Sequence, residues 1–488
     1  MQSEINRREF VKAVGAGAAG FVAQGCAGGS GNVAGRRRDK PNLLFIWTDE
    51  QRADTMAVYG NRKIRVPNMN RLAAESIVFK KAYVTQPVCT PNRSAVMTGL
   101  WPHTTGLLTN NIPLPGETRC LNELVGDADY RTAYMGKWHL GNEIFAQHGF
   151  GEWVSMEDGY GNYYSDGRDK DAKSDYHHHL LGLGYEPGSG GKFSRGFAAS
   201  LPIEHCKPKF LELKACDFMR RRRNEPFMLY INFLEPHMPF TGPLDEMYDP
   251  NEIDLPTSFN DPLEENEPGN CKKKFRQCAK KYGTTEEDFR KLTARYWGLN
   301  SQVDRSVGAI LDTLEQLGLA DNTIVVYTSD HGDMMGAHRL VEKGLMYEEA
   351  TRIPWLMRVP AMGRRQRVIE QPVSQIDLVP TLLELMGRSE AAARLPGQSL
   401  APLIKGGKIA RNHVFIEWNT EPIIRTVVSP DGWKLCLSKE DKCQLFNLPQ
   451  DPGETVNLFD SGEHEDVISR LTKKIHQWQA SVDDKVTV

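Results

Sequence analysis

Three runs of consecutive apolar residues, at positions 42–47, 227–233 and 323–328, stand out from a mixed background of apolar and polar residues. None of them alternates between the two kinds, so each predicts a strand buried on both faces, as in a parallel sheet. Between these runs apolar positions recur at helical spacing, for example over residues 294–317. This alternation of strand and helix predicts an α/β fold with a doubly wound sheet.

The pattern changes after about residue 407. Several short strand-like runs are followed by an amphipathic helix around residues 467–478, and closely spaced strands of this kind favour antiparallel pairing. We therefore predict one large domain over residues 41–407 and a smaller C-terminal α+β subdomain with an antiparallel sheet over residues 408–488. The strand-like runs are residues 413–418, 423–428, 433–437 and 444–447.

The first 40 residues have the pattern of a targeting segment and a glycine-rich linker. Arg7 and Arg8 begin the run RREFVK, and a weakly apolar stretch at residues 13–23 follows that is too short to span a bilayer. We predict twin-arginine export, hence a partner export machinery and a periplasmic or extracellular location. Cys26 ends a loose match to a lipoprotein cleavage box with Ala23 where Leu is usual, so a lipid anchor there stays open.

Residues 156–196 are rich in Gly, Tyr, Asp and His and show no clear period. A stretch of this length without periodicity predicts a long surface insertion near the functional site. Its candidates for lining a substrate pocket are Tyr160, Tyr163, Tyr164 and the histidine run at residues 177–179. We interpret that run as part of a solvated loop rather than as a metal site.

Charge and cysteine content narrow the function classes. A net charge of -3, with acidic and basic residues interspersed, provides no overall field that would gather nucleic acid. Nine cysteines in 488 residues do not form a disulfide scaffold, and an odd number leaves at least one thiol to explain. Cys436 and Cys443 flank a predicted hairpin, so a cross-strand disulfide after export is one alternative for them.

The segment around Cys89 has the features of an anion site at the start of a helix. Pro91 favours the first position of a helix and pushes Thr90 toward extended geometry, so Thr90 is the expected cap and Gly99 the expected end. Cys89 then lies at the positive end of the helix dipole, beside Arg93. From these residues alone, Cys89 is either an activated thiolate nucleophile or an inert, half-buried cysteine.

Acidic and ionisable residues follow the first and third apolar runs. Asp49 and Glu50 end the first, while Asp330 and His331 end the third. Ligands of open α/β sheets bind beyond the carboxyl ends of the strands, so these residues should converge. Three carboxylates and one imidazole are a hard donor set suited to Ca2+ or Mg2+, whereas zinc usually takes more His or Cys.

Further cations and titratable groups lie at strand ends or in short motifs. The segment GKWHLG at residues 136–141 contains Lys137 and His139, and His237 is held between two prolines. Together with Lys343 they offer the charges and acid/base groups needed to hold a tetrahedral anion and protonate a leaving alcohol. A single histidine of this kind would more often be structural.

Taken in order, these motifs resemble those of the formylglycine-dependent sulfatase family of the alkaline-phosphatase superfamily. The resemblance runs from about residue 41 into the C-terminal subdomain. It implies a large, doubly wound mixed sheet with helices on both faces, and an exported sulfatase that acts on a sulfate ester, best fitted to a sulfated carbohydrate. The matching motifs are Cys89-x-Pro91-x-Arg93, residues 97–99 (MTG), residues 136–141 (GKWHLG), Pro236-His237 and Asp330-His331-Gly332.

The resemblance also implies a mechanism. A formylglycine-generating maturation enzyme would oxidise Cys89, and one hydroxyl of the aldehyde hydrate would attack sulfur while the second later expels sulfate. One Ca2+, rather than Mg2+, would be bound by Asp49, Glu50, Cys89, Asp330 and His331. Arg93 and His139 would hold and deprotonate the diol, Lys137 and Lys343 would neutralise the sulfate, and His237 would protonate the departing oxygen.

Two positions depart from the family pattern. The family often has Asp-Asp where this chain has Asp49-Glu50, and Asp-Asn where it has Asp330-His331. An Asp-His pair also resembles the phosphonate and phosphate ester hydrolases of the same superfamily, which makes such a hydrolase the first alternative. The second alternative is a binding protein that keeps the pocket without the aldehyde.

Overall fold

The computed structural model describes residues 40–261, 263 and 267–488. The predicted export segment, the linker and Cys26 lie outside the described residues. Within the described ranges, no helix has both the length and the apolar character that crossing a bilayer requires.

The described residues form fifteen strands and fourteen α-helices. The strands are β1 (Asn42–Asp49), β2 (Ile77–Phe79), β3 (Ala82–Tyr83), β4 (Arg131–Gly136), β5 (Glu152–Val154), β6 (Phe227–Pro236), β7 (Thr323–Ser329), β8 (Arg352–Ile353), β9 (Trp355–Arg358), β10 (Arg367–Ile369), β11 (Val373–Ser374), β12 (Val414–Trp418), β13 (Ile424–Val428), β14 (Trp433–Ser438) and β15 (Gln444–Asn447). The helices are α1 (Pro67–Ala74), α2 (Cys89–Thr98), α3 (Pro102–Thr105), α4 (Leu121–Val125), α5 (Asp175–Gly182), α6 (Arg195–Ala199), α7 (Lys207–Arg221), α8 (Gly269–Tyr282), α9 (Glu286–Gln316), α10 (Glu348–Thr351), α11 (Leu378–Leu385), α12 (Ser389–Ala392), α13 (Ala401–Ile404) and α14 (Glu465–Val482).

The central sheet has eight strands in the order β10-β2-β9-β7-β1-β6-β4-β5. Strand β1 pairs in parallel with β6 and β7, and β4 pairs in parallel with β6 and β5, whereas β9 is antiparallel to β7. The three apolar runs of the sequence are therefore the three adjacent central strands β7, β1 and β6. The predicted mixed sheet is confirmed.

Both faces of this sheet are covered, as continuous apolar strands require. In β1, Leu44 and Ile46 belong to one buried cluster, and Phe45 belongs to another. Helix α9 contributes Val307 to the first cluster, while α11 contributes Leu382 to the second. Alternate residues of one strand thus serve opposite cores, which confirms the doubly wound α/β fold.

The C-terminal strands β12 to β15 form an antiparallel sheet in sequential order. Helix α14 packs against it through Leu471 and Ile475. The cross-strand disulfide considered for Cys436 and Cys443 is absent, because both thiols are free in this described region. The register explains this: Cys436 pairs with Gln444, one position beyond Cys443.

One predicted helix boundary and one predicted loop were wrong for local reasons. Helix α9 begins at Glu286 rather than near residue 294, because Thr285 and Asp288 form a capping box that satisfies the first backbone N–H groups. The stretch at residues 156–196 is not free of structure. Helix α5 lies within it, capped by Ser174, so the histidine run is helical and not a solvated loop.

Candidate active site

The carboxyl ends of the central parallel strands converge where Asp49, the last residue of β1, meets Asp330, which follows β7. The backbone N–H of Glu50 donates to Oδ1 of Asp330 at 3.1 Å, which ties the two strand ends together. Glu50 has a φ of 69°, and Asp49, Glu50, Asp330 and His331 have no solvent exposure. These are the two acidic strand ends that the sequence predicted to meet.

Helix α2 directs its first turn at this point. The helix begins at Cys89 and its cap is Val88, so Thr90 is not the cap that the sequence predicted. The hydroxyl of Thr90 is instead used in a tertiary contact, because it donates to the carbonyl of His139 at 2.8 Å. Gly99 ends the helix in left-handed geometry, as expected.

The side chain of Cys89 lies among charged groups from three other elements. Its Sγ is 3.2 Å from Nε2 of His331, 3.8 Å from Oδ1 of Asp49 and 3.9 Å from Nζ of Lys137. Cys89 itself is 1% exposed, so the thiol is enclosed and not at the surface. A group bonded to the β-carbon of residue 89 would therefore lie close to the Lys137 ammonium, the His331 imidazole and the Asp49 carboxylate.

Arg93, one turn further along α2, organises the two aspartates. Its Nη2 is 2.6 Å from Oδ2 of Asp49 and 2.8 Å from Oδ2 of Asp330, and its Nε donates to Asp330 as well. Nη1 donates to the side chain of Asn232 and to the carbonyl of Lys137. All the N–H groups of this fully buried guanidinium are therefore used by protein oxygens.

A second group of charges lies on the Glu50 side of the site. Nζ of Lys343 is 3.0 Å from Oε2 of Glu50 and 3.0 Å from Nε2 of His237. Nδ1 of His237 lies 2.9 Å from the carbonyl of Met238. Because a carbonyl only accepts, Nδ1 carries the proton and Nε2 is the acceptor for the Lys343 ammonium.

The electrostatics of the carboxylates differ sharply. Burial acts to raise the pKa of Asp49, but Lys137 and then Arg93 outweigh it and hold that pKa well below its usual range. Burial raises the pKa of Glu50 to about 8, an effect that Lys343 only partly offsets. Burial acts to lower the pKa of His331, but Asp330 and Cys89 raise it to about 9. The surrounding cations therefore compensate the charge of Asp49 but not that of Glu50, whose neutral, protonated form is favoured at pH 7.

These donors fit a cation. Ligand atoms of Asp49, Cys89, Asp330 and His331 lie within 4.8 Å of one another, and those of Asp49, Glu50 and His237 form an overlapping group. The Oε1 atom of Glu50 is buried without a hydrogen-bond partner among the described residues. An unpartnered carboxylate oxygen in an oxygen-rich pocket is the feature that a hard divalent ion satisfies.

His139 closes the other side of the site. Its Nε2 is 2.9 Å from Oδ1 of Asn111, and its Nδ1 is buried with no hydrogen-bond partner in the described chain. Burial, reinforced by Lys137, holds the pKa of His139 well below its ordinary value. The imidazole is therefore neutral near pH 7 and has the character of a base.

Several residues of this site were missed by the sequence analysis. Asn232 stands inside the apolar run of β6, and a lone polar residue there was the available signal. Glu143 accepts hydrogen bonds from the backbone N–H groups of Trp138 and His139, and so fixes the GKWHLG turn. Nothing local marks Glu143, since its role depends on the chain folding back on itself.

Gly136 sets the direction of Lys137 and gives a first prediction. Gly136 has a φ of 111°, and a Cβ there would overlap the carbonyl oxygen of Asn232. Gly136→Ala should lower the free energy of unfolding by about 1–3 kcal/mol more than Gly60→Ala, as expected for overpacking. Gly60 is the matched control, because its φ is 116° and nothing lies within 4 Å of its added Cβ.

Urea unfolding of the two variants measures the difference. Gly136→Ala should also lower kcat/KM, because the Asn232 carbonyl and Lys137 must shift, whereas Gly60→Ala should leave kcat/KM unchanged. Equal stability and equal activity of the two variants would show that the close approach at Gly136 has no role.

A cavity of about 440 Å³ lies beside His139 and His237, walled by the insertion at residues 156–196. Of the pocket candidates named from the sequence, Tyr160 and His177 line this cavity, whereas Tyr163 and Tyr164 do not. The ring centroid of Tyr160 is 5.0 Å from that of His139, so the cavity and the site adjoin. His177 is held by Asp158, with 2.7 Å between Nδ1 and Oδ2.

Comparison with known proteins gives a consistent result. Residues 41–388 match the family model described as Sulfatase, and residues 336–481 match the one described as N-sulphoglucosamine sulphohydrolase, C-terminal. The uncharacterized sulfatase YidJ of Escherichia coli (strain K12) is 32% identical over 468 residues, which cover 91% of this chain and 88% of that protein. The N-acetylglucosamine-6-O-sulfatase of Bacteroides thetaiotaomicron is 24% identical, with 91% and 87% covered.

Solved structures show the same fold. The structure of BT4656 in complex with its substrate D-glucosamine-2-N,6-O-disulfate has a TM-score of 0.75 and 23% identity, over 91% of this chain and 99% of that one. A phosphonate monoester hydrolase of Agrobacterium radiobacter has a TM-score of 0.74 and 18% identity, over 91% and 96%. At these identities the two structures establish the fold and do not choose between substrates.

Proposed function

The chain belongs to the sulfatase family and is a sulfuric ester hydrolase, and we propose that it releases sulfate from a sulfated carbohydrate through a nucleophile made from Cys89. The observation that carries this proposal is the position of Cys89, on the first turn of α2 and 3.2 to 3.9 Å from His331, Asp49 and Lys137. A helix N-terminus and buried cations together favour a tetrahedral anion in front of this residue.

Members of this family use a metal ion and a formylglycine. We propose that Cys89 is the residue converted by a maturation enzyme, and that the ion is one Ca2+ held by Asp49, Glu50, Asp330, His331 and the modified residue 89. The fit rests on the hard donor set and on the unpartnered Oε1 of Glu50. When bound, such an ion would orient the sulfate oxygens and stabilise negative charge on the nucleophile.

The contacts of Arg93 refine the role proposed for it. Its donors are used by Asp49, Asp330, Asn232 and the Lys137 carbonyl, which leaves none for the nucleophile. We therefore assign Arg93 to orienting the two aspartates. His139, neutral and with a free Nδ1, is the proposed base at residue 89.

Lys137 and Lys343 are the proposed cations for the sulfate oxygens, and His237 is the proposed acid for the departing oxygen. His237 needs a proton on Nε2 to act, and this atom lies 3.0 Å from Nζ of Lys343. Burial, reinforced by Lys343, holds the pKa of His237 well below its usual value. The role of His237 is tested by the leaving-group dependence of His237→Gln, because an acid matters most when the leaving alcohol is poor.

Steady-state rates on matched aryl sulfate and aryl phosphonate esters test the proposed reaction. We expect kcat/KM to be higher for the aryl sulfate than for the aryl phosphonate. Sulfate release from defined sulfated mono- and disaccharides then tests the proposed carbohydrate substrate. The alternative phosphonate or phosphate ester hydrolase is favoured by one feature, the Asp330-His331 pair. A clear preference for the phosphonate ester would therefore replace our assignment with that one.

We also propose that the chain is exported by the twin-arginine route and that residues 41–407 and 408–488 are its two domains. The first proposal rests on residues 7–23 of the sequence, and cell fractionation of a variant lacking both arginines tests it. The second rests on the change from a mixed central sheet to the antiparallel sheet β12 to β15. Limited proteolysis near residue 408 tests it.

A further inference from the structure

The cavity of about 440 Å³ beside the active site has its own recognition chemistry. Arg195, at the start of α6, links the cavity to the active site. It lines the cavity, and its Nη1 is 3.4 Å from Nδ1 of His237. Tyr160 joins them as well, since its ring lies 5.0 Å from the ring of His139. A substrate whose sulfate ester lies between His139 and His237 would extend its next unit into this space.

Arg195 is fixed in place and still has donors to offer. Its Nε and Nη2 each lie 2.6 Å from an oxygen of Glu157, and Nη2 also donates to the hydroxyl of Tyr160 at 3.0 Å. The contact of Nη1 is with Nδ1 of His237, an atom that itself carries a proton directed at the Met238 carbonyl. Nη1 carries two hydrogens and Nδ1 of His237 is its one contact among the described residues, so at least one hydrogen remains available to a ligand.

The charges that line the cavity are unbalanced. Glu157 is shared by Arg195 and by Lys207, whose Nζ is 2.9 Å from Oε1, so two cations face one carboxylate. The other lining carboxylate, Asp158, is used by His177 and by the backbone N–H of Ser174. Lys192 adds a third lining cation, exposed at the rim. Cations exceed carboxylates three to two, and the surplus is positive.

The walls suit a sugar ring between these charges. Phe193 and Tyr176 line the cavity together with Tyr160, and the Phe193 ring packs 4.9 Å from the ring of His177. Aromatic faces bind the apolar face of a pyranose, and charged groups around them read its substituents. The combination of aromatic walls and surplus positive charge therefore suits an anionic sugar.

We propose that this cavity is a subsite for a second anionic group, a carboxylate or a second sulfate ester, on the sugar unit next to the scissile sulfate. The proposal rests on the proposed sulfatase function and names its substrate class, a carbohydrate with at least two negative groups. Arg195 is the principal specificity residue, because it offers a preorganised planar fork for a carboxylate or sulfate. Lys192 adds attraction at the rim.

Three disaccharides test this subsite, each sulfated once on the terminal unit. The neighbouring unit is neutral in the first, carries a carboxylate in the second and carries a second sulfate in the third. We expect kcat/KM for one of the two anionic substrates to exceed that for the neutral one by about tenfold or more. The preferred substrate shows whether the second anionic group is a carboxylate or a sulfate ester.

Variants assign the preference to residues. Arg195→Gln should remove most of it, Arg195→Lys should restore part of it, and Lys192→Gln should reduce it by about threefold, as for an exposed charge. Lys170→Gln is the matched control, because Lys170 is an exposed lysine of the same insertion that does not line the cavity. If Arg195→Gln fails to fold, the loss of preference in Lys192→Gln still tests whether the cations of the cavity recognise the second anionic group.

Equal kcat/KM for all three substrates in the parent protein would overturn the subsite, as would a preference that Arg195→Gln and Lys192→Gln both leave intact. Activity on an aryl sulfate separates the two proposals. If the aryl sulfate is hydrolysed and the anionic disaccharides are not preferred, only the subsite is wrong. If no sulfate ester is hydrolysed, the proposed function and the subsite fail together.

Discussion

Cys89→Ala should lower kcat/KM for sulfate ester hydrolysis by at least about a thousandfold, because the covalent route is lost and only binding and electrostatics remain. Cys89→Ser should be almost as impaired after one turnover, since a serine sulfate ester has no second hydroxyl to expel sulfate. Both variants should fold, because the ion pairs that hold the strand ends together are made by Arg93 and not by the small side chain of residue 89. Measured rates on an aryl sulfate and thermal unfolding together check this.

Cys443→Ala is the control for this pair. Its thiol is half-buried, lies just before β15 of the C-terminal sheet and forms no disulfide, so activity should be unchanged. The modification itself is visible as a mass change in the peptide that contains Cys89, in which the thiol sulfur is replaced by oxygen and two hydrogens are lost. An unmodified thiol in protein from its native host would contradict the proposed nucleophile and favour the binding-protein alternative.

Arg93→Ala should lower the free energy of unfolding by about 3–5 kcal/mol, the usual cost of leaving a buried charge without its partner. Arg93 is the shared partner of Asp49 and Asp330, at 2.6 and 2.8 Å, and all three side chains are fully buried. Activity should be lost as well, because the two carboxylates are no longer held in register with residue 89. Urea unfolding in the presence of a chelator measures the stability without compensation by a bound ion.

Arg425→Ala separates the stability effect from the chemistry. Arg425 and Asp484 form an ion pair at 2.7 Å in the C-terminal region, with side chains 0% and 1% exposed. Its loss should cost a similar amount of stability. The folded protein should keep its kcat/KM, however, since this pair contacts none of the proposed site residues. Loss of activity in Arg425→Ala at temperatures where it is folded would mean that the site responds to general destabilisation.

The central strands could be predicted because burial on both faces leaves a continuous apolar run, and β1, β6 and β7 each show one. Their ends could be predicted to meet, since parallel strands place their carboxyl ends at one edge of the sheet. The helix at Cys89 could be predicted from Pro91 and Gly99. Its start was placed two residues late because Thr90 uses its hydroxyl for a tertiary bond to His139, not for capping.

The insertion shows where local pattern fails. Helix α5 carries polar and histidine residues because His177 pairs with Asp158, nineteen positions away, and not with solvent. A helix that is stabilised by such a pair lacks the apolar period by which helices are recognised. The sequence analysis did not predict the positively charged cavity for the same reason. Arg195 and Lys207, which share Glu157, lie in separate segments of the chain.

The sequence by itself determined the fold class, the ends of the central strands and the residues that could carry the chemistry, because periodicity and turn residues are local properties. Only the tertiary structure decided which of those residues are in contact with one another. Arg93 meets Asp330 across 237 positions and Asn232 across 139, and these contacts are the basis for our proposal that it orients the two aspartates instead of holding the nucleophile. Partners that far apart leave no local pattern, because their pairing energy exists only once the sheet has brought the strand ends together.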